Sequence, residues 1–238
     1  MNILQGLKNF LITLKEADKK RGFFFVFYHF PKAIYRTYFK KSPKTFIFQG
    51  ATYNYFYHLY NYTYLNERTI EIPIVWKIAS AYKGKRILEI GNVLSHYFSY
   101  QHDTLDKYEK GINIINQDVV DFRPQKKYDL ILSISTFEHV GWDEDVKNPE
   151  KILIAVRNLK KCLVSGGKMV ITLPFGYNFE LDKLLEENKI DFTNQYYFKK
   201  IQSNNKWKEV KQDDILGINY DNFLHSANGL FIGVIKNN

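Results

Sequence analysis

The sequence predicts an α/β protein, a doubly wound and mostly parallel sheet with a C-terminal antiparallel hairpin, preceded by an aromatic-rich N-terminal extension of helix and hairpin. Three observations predict it. From Lys85 onward, short apolar runs alternate with loops and helical stretches, the rhythm of parallel strands joined by crossovers. Residues 1–82 lack that rhythm and are crowded with aromatics, which sets them apart as an extension from a domain at 83–238. The tail then offers two strand-like runs, around Tyr197–Gln202 and Leu230–Ile235, that close the sheet.

At 238 residues the chain has room for one α/β domain and an appendage. Its 34 Lys and Arg against 25 Asp and Glu give a net charge of +9. That balance admits nucleic acid, anionic lipid and phosphorylated sugars as partners without choosing among them. Many lysines are scattered through a chain rich in Asn, Ile, Phe and Tyr, as AT-biased coding also produces. A single cysteine, Cys162, excludes an internal disulfide and a thiolate zinc site. The first twenty residues read as an amphipathic helix with Ile3, Leu4, Leu7, Leu11 and Leu14 on one side, not as a secretory signal, so a cytoplasmic protein is expected. The segment GFFFVFYHFPKAIYRTYFKK combines aromatics with Lys32, Arg36, Lys40 and Lys41, a composition suited to peripheral contact with the inner face of the membrane. Its apolar run, Phe23–Phe30, is far short of the ~20 residues that a spanning helix needs.

Taken in order, TFIFQGATYNYFYH has two strand-like arms around Gln49-Gly50-Ala51 and reads as a hairpin. A helix follows from about Asn66 to Tyr82, with Asn66 as N-cap and Lys83-Gly84 as the stop. The strands are Arg86–Ile90, Thr104–Asp106, Asn113–Asn116, Tyr128–Ser133 and Lys168–Leu173. Between the last two, PEKILIAVRNLKKCLVSGG reads as a helix. Its buried face is Ile152, Ile154, Ala155, Val156, Leu159 and Leu163, and Gly166-Gly167 end it. LDKLLEEN, from Leu181, is also helical.

Ligands of open parallel sheets sit at the carboxyl ends of the strands, where strand order reverses. The chemistry-bearing residues fall there. Glu89-Ile90-Gly91-Asn92 follows the first strand, and Asp106 ends the second, at the place where an acid accepts hydrogen bonds from ribose hydroxyls. Asn116-Gln117-Asp118-Val119 follows the third, STFEHVGWDED the fourth and PFGYN the fifth.

This constellation, from Lys85 to Lys236, resembles the Rossmann-like class I S-adenosylmethionine-dependent methyltransferases. "DLILSISTFEHVGWDE" followed by "GGKMVITLPFGYN" further resembles methyltransferases of bacterial surface-polysaccharide clusters. The resemblance implies S-adenosyl-L-methionine as cofactor. Glu89, Gly91 and Asn92 would then turn beneath its methionine end, Asp106 would hold the ribose, and Gln117 and Asp118, with Val119 beside them, would face the adenine. Ser133 and Ser135 would line the sulfonium. The opening turn has Val93 and Ser95 where a diphosphate loop has glycines. A diphosphate rests on bare backbone N–H groups, whereas S-adenosylmethionine has no phosphate, so the departure disfavours NAD and ATP.

The expected reaction is O-methylation of a small or glycan-linked hydroxyl acceptor. His139, at the site edge, is the candidate base, histidine being the side-chain type suited to proton transfer at neutral pH. Arg68 on the helix before the sheet, Trp142 and Tyr177 are candidates for substrate binding. Arg68 and Glu71 are also spaced to pair on a helix surface. His139 with Asp143, Glu144 and Asp145 has the make-up of an oxygen-rich metal site, but adjacent carboxylates set no ligand geometry. A solvated acidic loop without metal is expected. The alternative is a non-catalytic module that docks membrane or nucleic acid through its basic extension. Nucleic-acid methylation itself would rest on net charge alone, since no RNA-binding motif is present.

Overall fold

Two features of the chain before the sheet decide how its first elements form. In β1 (Thr45–Phe48) and β2 (Ala51–Asn54), which pair antiparallel, the two connecting residues Gln49 and Gly50 both have positive φ, 50° and 74°. A two-residue turn with that backbone matches the strand twist, and the expected hairpin forms there. Helix α1 (Arg68–Ala81) carries Pro73 in its interior. The proline removes the N–H that would bond the Thr69 carbonyl, and Phe56 N–H donates to that carbonyl instead at 2.9 Å. A helix defect thereby ties the preceding segment to the helix. The N-cap is Glu67, one residue past the expected Asn66, whose Oδ1 accepts the N–H of Arg68 at 3.2 Å just ahead of the helix.

The computed structural model describes residues 45–202, 205–222 and 225–238, with Pro31, Lys32, Ile34 and Tyr35. The expected amphipathic helix at residues 3–14, and most of the basic aromatic segment after it, lie outside the described residues. Among the described residues no helix is long and apolar enough to cross a membrane.

The main sheet has eight strands in the order β5-β4-β3-β6-β7-β10-β8-β9. Strands β3 (Ile87–Ile90), β4 (Asp103–Leu105), β5 (Ile114–Ile115), β6 (Tyr128–Ile134) and β7 (Leu163–Phe175) run parallel. Strand β10 (Gly229–Lys236) enters antiparallel between β7 and β8 (Asn194–Gln202), and β9 (Lys206–Val210) pairs antiparallel with β8. This is the mostly parallel, doubly wound α/β sheet with a closing antiparallel unit. Order reverses between β3 and β6, since β4 and β5 extend one way and β7 the other.

Alternation along β6 divides the core. Ile131 faces a cluster with Ile152, Ala155 and Leu159 of α2 (Lys151–Lys161) and with Leu181 and Leu185 of α3 (Phe179–Glu186). Leu130, Leu132 and Ile134 face the other cluster, with Ile70, Ile74 and Ala79 of α1 and Phe46 and Phe48 of the hairpin. The aromatic extension therefore covers one sheet face. Tyr55 hydroxyl accepts the Trp207 N–H at 2.8 Å, and the rings of Phe46 and Phe48 meet Phe198 at 6.1 and 5.6 Å.

Three expectations change. Helix α2 ends at Lys161, and Gly166-Gly167 lie inside β7, because sheet pairing claims that backbone: Tyr128 N–H donates to the Cys162 carbonyl and Gly166 N–H to Asn237. Ile154, placed on the buried face, is 41% exposed. Strand β9 is an addition, since KWKEV carries one buried apolar residue, Trp207, and otherwise reads as a polar connection.

Ile74 is fully buried between α1 and the sheet. Its replacement by Ala should cost about 2–5 kcal/mol in a denaturant titration. A loss below ~1 kcal/mol would mean that α1 is not part of the cooperative core.

Candidate functional site

The turn after β3 is built on one carboxylate. Glu89 is fully buried, and its Oε1 accepts the N–H groups of Val93 (3.1 Å) and Leu94 (2.9 Å), while Oε2 meets His102 Nε2 at 2.6 Å. The backbone donors that a diphosphate would need are thus already occupied. Gly91 has φ +79°, and a Cβ there would overlap the Thr136 side chain. Only glycine suits both the backbone and the gap.

Above this turn, at the carboxyl ends of β3 to β6, lies a cavity of about 380 Å³, within the ~300–1,000 Å³ usual for small-molecule sites. It occupies the point where strand order reverses. Gly91, Asn92, Asp106, Gln117, Asp118, Val119 and His139 all line it. Glu89, Ser133 and Ser135 do not. Glu89 lies beneath the turn as described, Ser133 Oγ is enclosed in the sheet with no hydrogen-bond partner among the described residues, and Ser135 Oγ donates to Glu71 Oε1 at 2.6 Å. Arg68, Trp142 and Tyr177 also lie outside the cavity wall. Trp142 stacks under Lys147 at 3.6 Å and meets Phe179 edge-on. Arg68 is no surface partner of Glu71. Its side chain is 12% exposed, and the guanidinium donates to the Ile134 carbonyl at 2.9 Å and stands 3.5 Å from Oε2 of the fully buried Glu71.

Asp106 is heavily engaged. Its Oδ1 accepts Tyr108 N–H (2.8 Å) and Glu109 N–H (2.7 Å), and its Oδ2 accepts Asn92 N–H (3.3 Å). Glu109, a second acid on the cavity wall, accepts from Asn92 Nδ2 at 2.6 Å. Tyr60 also reaches the wall and stacks on His96 at 4.4 Å. Sequence reading passed over Glu109 because DKYEK resembles any charged loop; its spacing three residues past Asp106 was the available signal.

At the far rim, two lysines and two acids form a ring. Lys107 Nζ contacts Asp118 (2.9 Å) and Glu144 (3.0 Å), and Lys151 Nζ contacts the same pair at 2.7 and 2.5 Å. Burial opposes the charge on both carboxyls, but the ammonium hydrogen bonds outweigh it and hold them below the usual range. Those bonds in turn push Lys107 above its own. Glu144 is therefore a ring member at the cavity, not part of a solvated loop. Asp143 is also engaged: its Oδ2 faces His139 Nδ1 at 2.5 Å and accepts the Tyr177 hydroxyl at 2.8 Å. No group of three or more His, Cys, Asp or Glu suited to a metal occurs among the described residues.

No protein-family model and no curated protein matches the chain. Among solved structures, it is similar to the N-methyltransferase NodS from Bradyrhizobium japonicum WM9 in complex with S-adenosyl-L-homocysteine (TM-score 0.40, 10% identity, 72% of this chain and 93% of that one). It is also similar to a possible histamine N-methyltransferase from Thermotoga maritima (TM-score 0.40, 13%, 71% and 89%) and an rRNA methylase from Streptococcus thermophilus (TM-score 0.43, 11%, 71% and 97%). The fold assignment itself rests on the strand order described above.

The ring makes a prediction about acid stability. A carboxyl depressed in the folded state contributes stability above its unfolded value, and that contribution is lost as pH falls through the folded value. Asp118→Asn should cost about 1 kcal/mol at neutral pH, and the deficit should shrink toward zero in denaturant titrations at about pH 2. A deficit independent of pH would show that the ammonium pairing is not its source.

Proposed function

We propose that the chain is an S-adenosylmethionine-dependent methyltransferase acting on a hydroxyl of a small or glycan-linked acceptor. One observation carries the reading. Seven residues named for a cofactor or base, from four separate stretches of the chain, line one cavity at the reversal of strand order, over a turn whose Val93 and Leu94 N–H groups are spent on Glu89. Such a turn fits a nucleoside without phosphate.

Cavity chemistry suits that cofactor. Ile90, Leu105, Val119 and Val140 give apolar wall for a purine, and acids stand at the end of β4 for ribose hydroxyls. Gly91 and Asn92 would take the amino-acid end, Asp106 with Glu109 the ribose, and Gln117, Asp118 and Val119 the base. When bound, the cofactor supplies an electrophilic methyl group on sulfonium. The chain's own contribution is alignment and proton removal. Asp143 beside Nδ1 favours the His139 tautomer with its proton there, leaving Nε2 to accept the acceptor's hydroxyl proton. Tyr177, donating to Asp143, holds the carboxylate in place. Hydroxyl specificity, the surface-polysaccharide setting and a cytoplasmic location belong to this reading.

Calorimetry should detect S-adenosylhomocysteine in the micromolar range typical of such sites, and no binding would sink the proposal. Asp106→Ala should weaken that binding about tenfold or more, through loss of a charge-assisted hydrogen bond worth ~1.5–3 kcal/mol. With an acceptor in hand, His139→Ala should lower kcat by about 10²–10⁴ while leaving cofactor affinity intact. Unchanged turnover would remove His139 as the base.

A further inference from the structure

Behind His139 lies an acid that the methyl-transfer reading does not use. Glu138 is 2% exposed, and its Oε2 has no hydrogen-bond partner among the described residues. Its Oε1 stands 3.7 Å from His139 Nε2, the nitrogen assigned to the acceptor's proton, and His139 lines the cavity. Glu138 is not on the cavity wall itself but stands directly behind it, within reach of the nitrogen that an acceptor would approach.

The neighbouring charges do not complete this acid, although the Arg68 guanidinium nearby favours its charged form. Arg68 stands beside Glu71, whose other oxygen accepts from Ser135. Glu67 accepts the Ala227 N–H at 2.8 Å and lies in the field of Lys200. The phenols of Tyr97, Tyr177 and Tyr220 are held neutral by burial, and the Tyr97 hydroxyl also has no hydrogen-bond partner among the described residues. A buried carboxyl with an unused oxygen is costly unless something completes it. Burial, the main influence on Glu138, pushes its carboxyl well above the usual range, and a cation beside it would restore the charged form.

We infer that Glu138 recognises a protonated amine on the acceptor, next to the hydroxyl that His139 deprotonates, so that the acceptor class is an amino alcohol, amino sugars included. The acceptor's identity rests on the methyl-transfer reading; the ammonium site does not. Glu138 would be a binding group, with the free Oε2 as its polar contact to the amine.

Ethanolamine and ethylene glycol, nearly equal in size, differ by ammonium against hydroxyl and make the test. Titrated by calorimetry or ligand-observed NMR into the full chain, with and without saturating S-adenosylhomocysteine, ethanolamine should bind at least tenfold more tightly than the glycol. Glu138→Gln should abolish that preference, while Asp213→Asn, at an exposed acid, should keep it. Equal affinities, no saturable ethanolamine binding into tens of millimolar, or a preference that survives Glu138→Gln would overturn the inference. Thermal melting separates a structural role: Glu138→Gln should leave the melting temperature unchanged or raised, and a marked fall would make the carboxyl a fold-stabilising group and reject the assignment. If ethanolamine binds through Glu138 while S-adenosylhomocysteine binds nowhere, the ammonium site stands and methyl transfer falls. The reverse result spares methyl transfer alone.

Discussion

The buried carboxylate of Glu89 is the constraint on which the site depends. It sits at the last turn-facing position of a fully buried strand and gathers Val93 N–H, Leu94 N–H and His102 Nε2 around its two oxygens. Three partners make burial of this acid tolerable, and in exchange they fix the path of the chain over the cavity floor. Gly91 can then take its left-handed backbone against Thr136, and Leu94 can bury completely. The segment after the turn makes one short helical turn, Leu94–His96, instead of the long crossover helix of a diphosphate site. Loss of glycines and use of an acid are two sides of one design, in which the protein itself supplies the anion that a phosphate would otherwise bring.

Much of the fold was legible because its signals are local. Gln49-Gly50 could only turn, the five parallel strands are apolar runs with short punctuation, and Asn66 marks the start of α1 by accepting the Arg68 N–H. The errors arose where a long-range partner overrode a local preference. Gly166-Gly167 look like a helix stop, yet Asn237 and Tyr128 draw the backbone into β7 some residues earlier. KWKEV looks like a loop, yet β8 offers an edge and Trp207 a burial site under Tyr55.

At the site, sequence position alone named the residues on strand ends but could not tell which way they face. Asp106, Gln117 and His139 lie in the loops that leave the carboxyl ends of β4, β5 and β6 and reach the cavity, as such residues of a doubly wound sheet should. Ser133 lies within β6, where alternation turns it into the core, and Ser135 has a positive φ of 38° that directs its hydroxyl to Glu71. Charge partners were equally hidden. Lys107 and Lys151 are 44 positions apart, and only the folded sheet reveals that each spans Asp118 and Glu144. The net positive charge that admitted acidic partners is, at this rim, cancelled two against two.

Arg68 shows how the extension and the sheet share one site. Its position three before Glu71 suggested an exposed helix pair worth a few tenths of a kcal/mol. In place, the guanidinium crosses from α1 to the last carbonyl of β6, and Glu71 reaches on to Ser135 in the following turn. A buried pair of this kind gains little over an apolar packing of equal volume, while loss of one partner would strand the other charge, so its value lies in fixing geometry. What it fixes is the β6 turn that leads directly into Glu138 and His139. Pro73 reinforces the same joint by lending the Thr69 carbonyl to Phe56. The segment before the sheet is therefore bonded to the strand end that carries the candidate base, and a change in α1 would be felt at His139 without touching the cavity wall.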